Sequence, residues 1–145
     1  MPGTYGSVLG VALYLGLAAL ARTMSYPEVF LFGVAVAVAG VSILIVSIAL
    51  KSFSAEDPQV IVLDEVAGQL LALLPLPLAA PRTGYYWGAV AAGFLLFRAL
   101  DAIKPYPIWK LGHLKGAWGV VADDLGAGAV AAALLVGILH FGLRL

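Results

Sequence analysis

Five long apolar stretches separated by short polar linkers set the pattern of this chain. They run from about Tyr5 to Ala21, Val29 to Leu50, Val60 to Ala80, Tyr85 to Leu100 and Leu125 to Leu143. A helix that crosses a bilayer needs about 20 apolar residues, within a range of about 17–25. The second and fifth stretches meet that length easily, and the first and fourth sit at its margin. The third is long enough, but it carries Asp64 and Glu65 near its start and Pro75 and Pro77 near its end. Proline lacks the amide a helix interior needs, so the helix should break or end there. The β-branched run at 60–63 would suit a strand, but an open sheet edge cannot lie in hydrocarbon, which favours helix. The pattern predicts an all-α, polytopic membrane bundle of about five apolar helices, the third either crossing or re-entering.

The linkers at 22–27, 51–59 and 81–84 are short. The longest, 101–124, contains Pro105, Pro107 and several glycines. In it Tyr106, Ile108, Trp109, Leu111, Leu114 and Trp118 are interleaved with Lys104, Lys110, His113 and Lys115. Trp, Tyr and Lys together mark the headgroup level, so this is an interfacial amphipathic segment. Composition agrees with a membrane chain. The sequence is 63% hydrophobic and 11% charged, against about 45–50% and 25% in soluble domains. Its 145 residues suit a single domain over 1–145. Zero net charge gives no reason to expect nucleic acid, and the lack of cysteine excludes disulfides and thiol chemistry. The first 21 residues hold no Lys or Arg, so they read as a retained membrane segment rather than a secretory signal.

If all five segments cross, the polar residues sort onto two faces. The N-terminus and the linkers at 51–59 and 101–124 share the first face, with Lys51, Arg98, Lys104, Lys110 and Lys115. The second face receives Arg22, Arg82 and Arg144. Lys and Arg accumulate on the cytoplasmic side, so the first face is expected to be cytoplasmic. The acids are more lopsided. Glu56, Asp57, Asp64, Glu65, Asp101, Asp123 and Asp124 fall on the first face and Glu28 alone on the second. Acids do not govern topology, so something else must explain this distribution.

Taken singly, each acidic group has an ordinary reading. Asp123 or Asp124 precedes a run of small apolar residues and would cap a helix there. Arg98 and Asp101 share a helix face and would pair at the interface. Asp64 and Glu65 form a costlier pair, because two adjacent buried acids need two partners. Jointly, five acids from three separated segments at one membrane depth suit a hard cation such as Mg²⁺, Mn²⁺ or Ca²⁺. Arg98, Lys104 and Lys115 nearby would hold phosphate oxygens. A metal with basic residues at headgroup depth describes a site for a phosphorylated lipid.

At these residues the chain resembles a known family. The blocks PGTYGS (2–7), VLDEVAGQLLAL (62–73), FRALDAIKPYPI (97–108) and GVVADDLGAG (119–128) are similar, in order and spacing, to those of phosphatidylglycerophosphatase A. That resemblance covers nearly the whole chain. It implies a Mg²⁺-dependent, multi-pass enzyme of the bacterial inner membrane, with its active site on the cytoplasmic side. Such an enzyme converts phosphatidylglycerophosphate to phosphatidylglycerol. It implies Asp64, Glu65, Asp101, Asp123 and Asp124 as metal ligands, with Asp64, Glu65, Asp101 and Asp124 as catalytic acids. Arg98, Lys104 and Lys115 are implied at the phosphate, with Thr4 and Ser7 at the rim. Two departures stand out: the family's additional N-terminal segment does not precede MPGT, and its HGG- or KGG-like stretch is KGA at 115–117.

The expected chemistry is metal-assisted phosphomonoester hydrolysis, by activated water or through an aspartyl-phosphate. The rival class is a transporter of divalent cations or protons using the same acids. It predicts acids spread along the membrane normal rather than gathered at one face.

Overall fold

The computed structural model describes residues 2–52, 58–78 and 84–143. Its helices are α1 (Pro2–Ala21), α2 (Pro27–Ser52), α3 (Pro58–Leu73), α4 (Gly84–Ile103), the short α5 (Ile108–Leu111) and α6 (Ala117–Gly137). A π-helical turn, Ile138–Leu143, extends α6. Three helices open on a proline, at Pro2, Pro27 and Pro58. At a first helical position the missing amide has no intrahelical partner to lose, and proline's fixed φ suits the helix. Glu56 and Asp57 lie outside the described residues, as do Arg82 and Arg144.

Four helices are long and apolar enough to cross a membrane: Gly3–Ala21, Pro27–Lys51, Gly84–Ile103 and Ala117–Gly142. α3 is not among them. Its 16 residues make a helix of about 24 Å, short of the ~30 Å hydrocarbon core. It stops two residues before Pro75, as the prolines predict. The chain then continues in turns to Leu78, whose carbonyl accepts a 2.9 Å hydrogen bond from Arg22 Nε just past the end of α1. The third segment therefore reaches the far end of the bundle as a helix plus an irregular tail. Such backbone is tolerated at membrane depth where protein surrounds it, and Leu76 in the tail is buried.

α3 is the hub, packed against α1, α2, α4 and α6. Residues 64–70 are buried without a break, so this helix has no lipid-facing side there. The outer helices turn Leu44, Ile48, Leu95 and Val136 outward instead. Small residues allow the close approach, as expected where helices pack in lipid without a hydrophobic drive between them. A Cβ on Gly10 of α1 would stand 2.7 Å from Gln69 Cβ on α3. A Cβ on Gly68 would stand 2.6 Å from the Asp124 carbonyl on α6, and one on Gly128 would strike the Gly68 carbonyl.

One reading from the sequence needs correction. Asp123 and Asp124 do not cap a helix. α6 begins at Ala117, with Gly116 at its N-cap in the left-handed region (φ 69°), so both acids lie in its second turn. The apolar residues around Trp118 belong to the helix rather than to a loop.

The α3–α6 contact generates a test. Gly128→Ala places a methyl group against backbone that cannot yield, an overpacking cost of about 1–3 kcal/mol. Its melting temperature in detergent should fall by about 5 °C or more. Gly137→Ala, facing open space, should leave it unchanged or slightly raised.

Candidate active site

At the end of the bundle where α1 and α3 begin lies a cavity of about 550 Å³. Asp64 and Glu65 of α3, Asp101 and Lys104 at the end of α4, and Asp123 and Asp124 of α6 all line it. Those five acids are the ones singled out in the sequence, and three helices bring them to one space. Gly112, Leu114, Gly116, Gly119 and Val120 complete the wall.

Each side chain has a distinct position. Asp64 and Glu65 are buried, and Asp64 Oδ1 and Glu65 Oε2 have no hydrogen-bond partner among the described residues. Glu65 lies against α1 at Gly3 and Gly6, where a Cβ at either glycine would collide with its carboxylate. Arg98 Nη1 donates to Asp101 Oδ2 at 2.7 Å and stands 3.8 Å from Glu65 Oε1. Asp124 meets the Asp101 carboxyl side chain to side chain. Both Asp123 oxygens have partners: Oδ1 accepts the Asp124 amide at 2.9 Å and Oδ2 accepts Lys104 Nζ.

Lys104 occupies unusual backbone. It is the one non-glycine with positive φ among the described residues, at 46°, and its amide donates to the Leu100 carbonyl at 2.8 Å. That is a left-handed helix cap, a position usually held by glycine. Pro105 follows and disfavours helical geometry at Lys104. A non-glycine held there costs about 1–3 kcal/mol and persists only where surroundings enforce it. Burial works against the ammonium charge. The hydrogen bond and charge of Asp123, with Asp124 and Asp101 behind it, outweigh burial and raise the pKa above the ordinary lysine value. Lys104 therefore stays cationic, facing the cavity.

The other sequence candidates fall differently. Arg98 bridges two acids and does not line the cavity. Ser7 is buried, and its hydroxyl donates to its own helix at the Gly3 carbonyl (3.1 Å). Thr4 is exposed on α1, and Lys115 is exposed between the lining residues Leu114 and Gly116. His113 packs on Trp109, and His140 lies at the opposite end beside Pro75 and Pro77. Sequence reasoning missed Gly3 and Gly6, whose i, i+3 spacing in PGTYGS was the available signal. It also missed Gly119, where a Cβ would strike the Leu114 carbonyl and push the loop off α6.

The site is crowded with acidic groups. Five carboxyl groups stand against two cations, Arg98 and Lys104, and two buried carboxyl oxygens have no hydrogen-bond partner among the described residues. Among the described residues no three acids converge tightly enough to cage an ion unaided. Mg²⁺ does not need a cage: it commonly takes one or two carboxylates and completes its shell with water and phosphate. The donor set, hard oxygens with orphaned lone pairs, fits such an ion.

Replacing Lys104 separates its backbone role from its charge. Lys104→Gly and Lys104→Ala both lose the cation, but only glycine relieves the left-handed backbone. The glycine variant should melt several degrees above the alanine variant, reflecting about 1 kcal/mol. Both should lose activity alike.

The family model for phosphatidylglycerophosphatase A matches residues 1–139. Phosphatidylglycerophosphatase A of Escherichia coli strain K12 is 32% identical over 141 residues, covering 97% of this chain and 75% of that protein. A Bacteroides thetaiotaomicron protein named "Putative phosphatidylinositol-3-phosphatase" is 36% identical over 134 residues, covering 88% of this chain and 76% of that protein. No solved structure matches. The matched region contains every acid of the cavity, and the chain belongs to the phosphatidylglycerophosphatase A family of phosphatases.

Proposed function

We propose that this protein hydrolyses the terminal phosphomonoester of phosphatidylglycerophosphate, giving phosphatidylglycerol and phosphate, with Mg²⁺ as cofactor. The observation that carries this reading is the pairing of unpartnered Asp64 and Glu65 oxygens with a cationic Lys104 around one cavity. A phosphomonoester brings about −1.5 to −2 charges near neutral pH. A cavity walled by five acidic groups would hold it poorly unless a divalent cation were present.

Asp64 and Glu65 are the residues that would hold the ion. When bound, it would polarise the phosphoryl oxygens and lower the pKa of a water molecule. Lys104 would pair with a non-bridging phosphate oxygen, countering charge in a loose transition state. Arg98 holds Asp101 and Glu65 in place and acts through them. The Asp101–Asp124 pair would supply the remaining chemistry. One carboxylate would accept the proton of an attacking water, or attack phosphorus itself to form an aspartyl-phosphate. The site would lie at the cytoplasmic face of a bacterial inner membrane, where Lys51, Lys104, Lys110 and Lys115 gather. The transporter reading expects acids along the whole membrane normal; the cavity's acids sit at one end, which favours the enzyme.

Phosphate release from phosphatidylglycerophosphate by the purified protein tests this. A chelator should lower the rate by about a hundredfold or more, and added Mg²⁺ should restore it. Asp64→Asn and Asp124→Asn should each cost about a hundredfold or more. Full-rate hydrolysis by either variant would sink the assignment. Faster release from phosphatidylinositol 3-phosphate would move the substrate toward the second relative's name.

A further inference from the structure

Between α1 and α4 runs an apolar groove of about 450 Å³, lined on one side by Val8, Ala12 and Leu15 and on the other by Trp87, Ala91 and Phe94. Every side chain lining it is apolar, and Val8 and Trp87 are exposed along it. Its position distinguishes it from ordinary lipid-facing surface. Phe94 lies one helical turn from Arg98. Val8 lies two residues beyond Gly6, against which the Glu65 carboxylate rests. At its head, Phe94 shares a face of α4 with Arg98 one turn above it, and Arg98 bridges to Glu65, which is also a wall of the acidic cavity. From Phe94 to Trp87 the groove descends about 10 Å along α4, about two thirds of the ~15 Å depth of one leaflet's hydrocarbon. The other sizeable apolar recess, around Leu31, Phe32 and Leu76, lies beside Glu28 at the opposite end and does not reach the site.

We infer that this groove seats one acyl chain of the substrate lipid while the lipid's phosphate occupies the acidic cavity. The inference rests on the lipid-phosphatase reading above. The substrate stays anchored by its chains, so a phosphate held at Asp64 and Lys104 needs its tail to descend beside the site. The groove offers the upper part of the tail a path of about 10 Å, starting one helical turn from Arg98, which bridges to the Glu65 wall of the cavity. Lipid tails are as apolar as the groove, so transfer into it brings little hydrophobic gain. What the groove supplies is register: a seated tail fixes the depth and orientation of the phosphate.

Two substitutions narrow the groove without touching the buried core. Ala12 and Ala91 are exposed small residues on its two walls, and Ala133, exposed on α6, is the control. Full-length Ala12→Phe, Ala91→Phe and Ala133→Phe proteins would be assayed in detergent on dioleoyl and dihexanoyl phosphatidylglycerophosphate. In the groove variants the ratio of kcat/KM for the long-chain over the short-chain lipid should fall about fivefold to tenfold, and in the control it should not move. An unchanged ratio, or an equal change in Ala133→Phe, overturns the proposal. A second measurement serves if the groove variants fold poorly. A dioleoyl-type phosphatidylglycerophosphate with a diazirine on one acyl chain is photolysed with the wild-type protein. Label should enter 8–15 and 87–94 and be displaced by unlabelled phosphatidylglycerophosphate but not by phosphatidylcholine. Equal displacement by both lipids means bulk lipid fills the groove, and protection by a dimer means a second copy covers it; either result overturns the proposal. Labelling needs no turnover. A protein that labels in the groove but releases no phosphate defeats the phosphatase reading and leaves the groove assignment standing.

Discussion

A helix bearing two carboxylates and a glutamine cannot lie in a bilayer unless protein wraps it, and that constraint organises this molecule. On insertion scales a carboxylate at the helix centre costs about 2.5–3.5 kcal/mol. Asp64, Glu65 and Gln69 would together consume much of the 5–15 kcal/mol that keeps a domain folded. α3 avoids this cost by being surrounded, with residues 64–70 all buried among α1, α2, α4 and α6. Such enclosure is possible only if backbones approach closely, which explains why glycines sit at the crossings. Gly68 and Gly128 bring α3 against α6, and Gly3, Gly6 and Gly10 bring α1 over the acids. The crossing that shields α3 also sets Asp124 beside the helix that carries Asp64. Fold and site therefore depend on the same contact.

The charge pattern follows from that enclosure. Arg98 spans Glu65 and Asp101, tying α3 to α4, while Lys104 reaches Asp123, tying α4 to α6. The two cations act as struts between helices. The Lys104 backbone is held in a conformation glycine would adopt more readily. Glycine there would carry no ammonium, so local stability yields to the charge. Meanwhile Asp64 and Glu65 keep oxygens with no hydrogen-bond partner among the described residues. A structure optimised only for stability would satisfy or remove them; under the function proposed above they are left open for a cation.

Much of this was legible in the sequence because the relevant signals are strong and local. Apolar runs of membrane length, the halt before Pro75, and the gathering of Asp64, Glu65, Asp101, Asp123 and Asp124 all carried through to the structure. What failed to show depended on packing. The start of α6 was hidden because Trp118 and its neighbours suit an interfacial loop as well as a first helical turn, and only the left-handed Gly116 decides between them. The crossing of the third segment depends on a tail whose position is set by Arg22, distant in sequence. In PGTYGS the polar residues drew attention, yet Ser7 bonds to its own backbone and Thr4 faces outward. The glycines matter there because they leave room for Glu65, and an absent side chain gives no chemical signal until its neighbour is seen. The pairing of Arg98 with Asp101 was legible from their i, i+3 spacing, whereas its second acidic partner, Glu65, is visible only in three dimensions.

The depth of the cavity bears on how a lipid would use it. Asp124 lies seven residues into α6, about 10 Å below the helix start. A headgroup resting at the usual interface, in a polar layer about 5–7 Å thick on each side of the hydrocarbon, would sit above that floor. The exposed aromatics Tyr106, Trp109 and Trp118 place the α5 region at the interface, and glycines 112, 116 and 119 in and beside it form the cavity wall. The α5 segment thus acts as a shelf at headgroup level, with the acids below it. From the shelf to the acids is a descent of roughly one helical turn or more, and a lipid whose phosphate made it would keep its tails in hydrocarbon. This arrangement suits a reaction whose substrate and product are both lipids, because only the released phosphate has to leave the membrane.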